Sequence, residues 1–194
     1  MNLCKVTGLH PCKCKHRDNK LIVDFDDYRV ALRRAFTDHA VYTSCLITES
    51  VPILQPDAAF VSERLLRNPT DIRNLLQPLI GSEKGEVVER VIGDHLKLAA
   101  ATLEPVRNND SQRTARAVEA FLNQGNEFGS ALSSLNPSKL PLDVAVTMVR
   151  DHNNFVVNLA TLRQQKNYED YINTYDVYFS HMMEFSDALC NALI

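Results

Sequence analysis

Three short stretches of this chain pair a carboxylate with an imidazole: Asp38-His39, Asp94-His95 and Asp151-His152, with the histidines 56 and then 57 residues apart. Residues at helical steps around each histidine repeat a character. Seven before are Leu32, Val88 and Ala145; four before are Ala35, Val91 and Met148; three before are Phe36, Ile92 and Val149. Three after are Tyr42, Leu98 and Phe155; seven after are Leu46, Thr102 and Leu159. Only Thr102 is neither apolar nor aromatic, so each histidine falls on the apolar stripe of a helix, the face expected to be buried. Each aspartate, one residue earlier, is rotated about 100° toward the edge of that face.

Imidazole and carboxylate in that setting support three chemistries. Each aspartate can pair with a His or Arg of a neighbouring hairpin and register a bundle; this structural role comes first, because an unpaired buried polar group costs about 1–3 kcal/mol. Alternatively, His39, His95 and His152 converge on zinc or another transition metal, with Asp38, Asp94 and Asp151 orienting the rings from behind. The third option is acid–base catalysis, for which no nucleophile or oxyanion donor can be assigned. The residues four after each histidine, Thr43, Ala99 and Val156, supply no second ligand on the same face, which argues against a carboxylate-bridged di-iron centre.

A weaker pattern follows each histidine by 29, 28 and 21 residues: Asn68-x-x-Asp71, Asn123-x-x-Asn126 and Asn173-x-x-Asp176. Spacing of three places both members on one helical face, adding Asp71 and Asp176 to the groups that can back a metal site. Asn68-Pro69-Thr70-Asp71 also has the form of a helix start, with Asn as N-cap, Pro in the first turn and Asp on the helix dipole. His181 has no counterpart in this pattern. Tyr171, Tyr175, Phe179, Met182 and Met183 form a stripe that reads as core.

A second ligand cluster lies near the N-terminus. Cys4, His10, Cys12, Cys14 and His16 follow the pattern C-x5-H-x-C-x-C-x-H, of which Cys4, Cys12, Cys14 and His16 can form a zinc knuckle. The spacing differs from two separated chelating pairs, so a tail of reduced thiols is the plainer expectation. Five cysteines, an odd number, argue against a disulfide framework, and Cys45 and Cys190 read as small core residues. Lys5, Lys13, Lys15, Arg17 and Lys20 stand against Asp18 alone in residues 1–20, giving +4 and leaving −7 on the rest of a chain whose net charge is −3. A basic tail can touch nucleic acid or simply be solvated; the body shows no basic, aromatic-interleaved face.

These residues need elements to position them. The chain has 194 residues, 45% hydrophobic and 23% charged, with only 6 glycines, a balance that disfavours a turn-rich β-fold. Helical periodicity predicts a first helix from Asp24 or Asp26 to before Pro52, and a second region over 57–80 interrupted at Asn68-Pro69. A third helix is expected from Glu86 to Leu103, ended by Pro105, and a fourth from Ser111 to Leu135. A fifth follows Pro141 to about Gln164, and a sixth runs from about Tyr168 to the C-terminus. The expected fold is all-α: a six-helix antiparallel bundle of three repeated helical hairpins, forming one domain over residues 23–194 behind a Cys/His-rich basic tail at 1–22. No apolar run is long enough to cross a membrane. Met1 to Lys20 lacks the apolar core of a secretory signal, so a reducing compartment is expected.

The windows Phe36-Thr37-Asp38-His39-Ala40-Val41-Tyr42-Thr43 and Leu65-Leu66-Arg67-Asn68-Pro69-Thr70-Asp71-Ile72 resemble a group of uncharacterised bacterial helical proteins. They are similar too to an uncharacterised protein of the Marseilleviridae, large DNA viruses of amoebae. The resemblance covers about residues 28–194. In those bacterial proteins an acidic-His pair recurs in each first helix, and the last helix carries a histidine where this chain has Phe179, with His181 close by. The resemblance implies the helical fold and a viral origin; it brings no activity. The reading that results is a non-enzymatic bundle acting through protein partners, as a virion or host-interaction protein in the virus particle or host cytoplasm, with a homodimer as one form. The alternative is a metal-binding bundle with a His/Asp centre, hydrolytic or redox in character.

Overall fold

The Asp24 carboxylate accepts hydrogen bonds from the backbone N–H groups of Asp26 (3.0 Å) and Asp27 (3.2 Å), capping α1 (Phe25–Ser50). The computed structural model describes residues 24–194. The N-terminal Cys/His cluster and the cations of the basic tail lie outside the described residues. Six further helices follow: α2 (Ala58–Leu65), α3 (Asn68–Ile80), α4 (Ser82–Arg107), α5 (Ser111–Ser133), α6 (Leu142–Gln164) and α7 (Tyr168–Leu193). The described residues contain no strand. Since α2 and α3 together make the return arm of the first hairpin, the architecture is six arms in three hairpins.

The arms close a ring in the order α1, α3, α4, α5, α6, α7 and back to α1, while α1, α4 and α6 also touch one another at its centre. Three inner helices are thus flanked by three outer ones. The stripe read from the sequence is the reason: Leu32, Phe36, Val88, Ile92, Ala145 and Val149 are all buried on the inner helices. The inner helices run in one direction and finish together. Arg107 Nη1 donates to Ser50 O (3.1 Å), Gln164 Nε2 to Arg107 O (3.2 Å) and Arg163 Nε to Val51 O (3.2 Å). These bonds satisfy carbonyls that a helix C-terminus leaves open and bring positive charge to its negative dipole end. At the opposite end, Arg29 and Arg33 of α1 both grip Asp187 of α7.

Two boundaries differ from expectation. α4 begins at Ser82, directly after Gly81 at φ 82°, and runs through Pro105 to Arg107. A proline in the last turn forfeits one backbone bond while its ring stays buried, so it does not end the helix. The break in the second region falls at Leu66-Arg67, not at Asn68-Pro69. Asn68 is therefore the first residue of α3 and does not cap it.

Helix α5 comes unusually close to α6 because Gly129 has no side chain: a Cβ there would lie 2.6 Å from Val146 Cα, on the α6 backbone. Gly93 in α4 is the contrast, since a Cβ there meets nothing within 4 Å. Both glycines are helical, so alanine gains up to about 1 kcal/mol of propensity at either site. At Gly129 the clash outweighs that gain, and Gly129→Ala is expected to cost about 1–3 kcal/mol in urea unfolding. Gly93→Ala is expected to stabilise by about 0.5–1 kcal/mol. Equal responses at the two positions would contradict the close approach.

Candidate metal centre

Parallel inner helices with aligned ends put their histidines at one level. His39, His95 and His152 are buried in the middle of the bundle, with one ring nitrogen from each lying within 4.8 Å of the other two. The Nε2 atoms of His95 and His152 are 3.0 Å apart. Phe121 and Phe128 pack against His95, and Tyr178 against His152, with ring centroids 4.9, 5.3 and 5.6 Å away. The centre is thus walled by aromatic rings from the outer helices α5 and α7.

The aspartates do not orient these rings. Asp38 accepts from Arg64 Nη2 (2.8 Å) of α2, in its own hairpin, and Asp94 pairs with Lys97 and Arg90 of its own helix. Asp151 is exposed in an open groove between α6 and α7, beside His181 and Glu184. Asp71 lies 3.9 Å from Arg64 Nη1, and Asp176 is exposed. A residue next to an inward-facing histidine is turned about 100° away, which carries a short carboxylate to the bundle surface. So neither expected role of the three aspartates, bridging neighbouring hairpins or backing the imidazoles, matches their placement.

The orienting groups come from the outer arms. Asn68 Nδ2 donates to Ala35 O (2.8 Å), which fixes the amide so that its Oδ1 must accept from His39 Nδ1–H (2.9 Å). His39 Nε2 is then left with a free lone pair. In the second hairpin Gln124 Nε2 donates to Val91 O (2.9 Å), and Gln124 lies close enough to His95 to favour a proton on its ring. In the third, His181 Nε2 reaches Met148 O (3.2 Å). Ala35, Val91 and Met148 are the residues four before the three histidines, and Asn68, Gln124 and His181 each follow their histidine by 29. The matching positions are therefore these three, whereas Asn123, Asn126 and Asn173 are exposed. Residue identity hid the pattern, because Asn, Gln and His look unrelated yet all carry a side-chain N–H for the same carbonyl. The constant offset of 29 was the available signal.

Ring nitrogens are otherwise sparsely satisfied. His152 Nδ1 faces Met182 Sδ at 3.1 Å. His95 Nδ1 and Gln124 Oε1 are buried without a hydrogen-bond partner. Thr43 sits near enough to Tyr178 to oppose the upward push of burial on that phenol, yet neither hydroxyl has a partner at bonding geometry.

Burial keeps the three imidazoles neutral. It lowers His39, against a smaller opposing pull from Asn68; it pushes His95 down to about 3, with His39 adding to the effect. It holds His152 well below the usual histidine range, with His95, His39 and His181 adding to it. Neutral imidazole is the form that binds a metal, so no proton need be displaced at neutral pH.

Comparison with family models, curated proteins and solved structures finds no match to this chain.

The titration has a definite sign. The unfolded chain takes protons on these histidines below about pH 6.5, while the folded chain takes them at lower pH, much lower at His95 and His152. Their contribution is complete above pH 6.5 and is lost as pH falls toward the depressed folded values. Chelator-treated protein should lose up to about 1.4 kcal/mol of unfolding free energy per pH unit per buried imidazole below pH 6.5. Asp187, held low by Arg29 and Arg33, acts only in a separate window, below the ordinary carboxylate range. Urea unfolding at pH 7.5, 6, 5 and 4.5 measures this; a flat profile would contradict burial of neutral rings.

Proposed function

We propose that this chain is a metal-binding helical bundle in which the Nε2 atoms of His39, His95 and His152 hold one transition-metal ion. The observation that carries this reading is the hydrogen-bond account of the rings. If the imidazoles only bond one another, one of the two Nε2 atoms of His95 and His152 donates to the other, and the Nδ1 of that neutral donating ring is left without a proton in a buried setting. If an ion takes all three Nε2 lone pairs, every Nδ1 carries a proton: that of His39 donates to Asn68 Oδ1, that of His152 faces Met182 Sδ, and that of His95 lies buried on the ring's outer side, where Gln124 is the polar neighbour. That outward N–H anchoring is the usual second layer of a histidine metal site. An ion bound at about 2.0–2.1 Å holds its nitrogen ligands roughly 3.0–3.4 Å apart; the His95–His152 pair is at 3.0 Å, and the full set, within 4.8 Å, would close slightly around the ion.

Three imidazoles and no carboxylate suit zinc, iron, nickel or copper rather than magnesium or calcium. Three protein ligands with a position left over is the arrangement of a reactive ion, and such an ion supplies Lewis-acid or redox chemistry. On this reading the three hairpins are copies of one unit, each giving a ligand from its inner helix and a pinning N–H from its outer arm.

A second reading, a contact protein that also forms a homodimer, is supported by the exposed apolar side chains Ile53, Leu54 and Phe60 in the first hairpin, and the resemblance to a Marseilleviridae protein would set it in a virus particle or infected cell.

Tag-free protein is expected to carry one transition-metal ion per chain by mass spectrometry. His95→Ala should abolish it, and Asn68→Leu should weaken affinity about 10–100-fold. Protein without stoichiometric metal, whose melting temperature is unmoved by zinc, iron, nickel or copper, would overturn the proposal.

A further inference from the structure

One side of the histidine cluster is not packed. A cavity of about 20 Å³ adjoins all three imidazoles and extends between α1 and α4 toward the helix C-termini. Its walls are nearly all aliphatic, including Leu46, Leu65, Leu96 and Leu103, with the half-buried Ala99 and Ala100 at its outer edge. Three features limit what can occupy it. The volume takes one molecule of about the size of water and excludes an organic substrate. No charged side chain lines it, so an anion passing along it to the ion would be desolvated without a compensating partner. Away from the imidazoles its sole polar side chain is Thr43, whose hydroxyl is unpartnered, so a water lodged off the ion lacks the two to four polar partners it needs.

We propose that this cavity is a port delivering one neutral diatomic gas, of the dioxygen or nitric oxide class, to the open side of the metal centre. The inference rests on the metal reading above, and it assigns that centre its ligand class. Thr43 is placed to donate its hydroxyl hydrogen to a gas held beside the imidazoles. The aliphatic walls favour an apolar molecule over bulk water.

Two measurements test it. The cavity itself is probed on chelator-treated protein with xenon, by crystal pressurisation or xenon NMR, and needs no metal. One saturable xenon site beside His39, His95 and His152 is expected; Ala99→Leu or Ala100→Leu, whichever keeps the wild-type circular dichroism, should lose it. Absence from the wild-type cavity both of xenon and of dioxygen, read by paramagnetic relaxation of nearby NMR signals under oxygen pressure, overturns the proposal. The second measurement adds nitric oxide to anaerobic protein loaded with ferrous ion. A new paramagnetic signal of an iron–nitrosyl species is expected, weakened in Thr43→Val. Bound ferrous ion whose spectrum ignores nitric oxide overturns the gas port alone. Failure of ferrous, zinc, nickel and copper ions all to bind overturns the metal reading and the port with it.

Discussion

Three imidazoles enclosed in an aliphatic and aromatic core impose the constraint on which the rest of this structure depends. An imidazole always offers at least one polar nitrogen to each side, and burial of an unpartnered one is costly. The fold answers on one side of each ring with a group from an outer arm: Asn68 for His39, Gln124 beside His95, Met182 for His152. Inward, the Nε2 atoms of His95 and His152 meet each other at 3.0 Å. Bundle geometry follows from that need, since only parallel inner helices with aligned ends bring the three rings to one level.

The outer arms do more than cover the core. Asn68, Gln124 and His181 each bond the inner-helix carbonyl four residues before a central histidine, so each hairpin is locked in register at the turn that sets its ring. A slip of one residue would turn the histidine by about 100° and replace it with a surface aspartate. The Asp-His order therefore places a charge that must stay outside next to a ring that must stay inside. The helix C-termini, laced by Arg107, Arg163 and Gln164, hold the same alignment at one end of the bundle.

Much of this was legible in the sequence. The helical period around His39, His95 and His152 gave the all-α class and the buried stripe, and its regular spacing gave hairpins with like-directed first helices. What was not legible has physical reasons. Asp38, Asp94 and Asp151 are adjacent to the histidines in sequence but not in space, because one helical step separates inside from outside. Asn68 satisfies every local rule for an N-cap, yet the chain breaks two residues earlier and the amide is spent on His39, a partner 29 residues away. His181 shares no residue name with Asn68 or Gln124, because the position requires only a donor. Pro105 ended a helix in expectation because terminal-turn prolines obey weaker rules than interior ones.

We propose that the imidazoles converge because an ion belongs among them. Anomalous diffraction from crystals of tag-free protein, collected across the absorption edges of iron, nickel, copper and zinc, addresses it directly. One peak is expected inside the bundle, bonded to Nε2 of His39, His95 and His152 at about 2.1 Å, with each Nδ1 turned outward. Density showing the three rings hydrogen-bonded only to one another or to water, in crystals grown with those metals present, would contradict it.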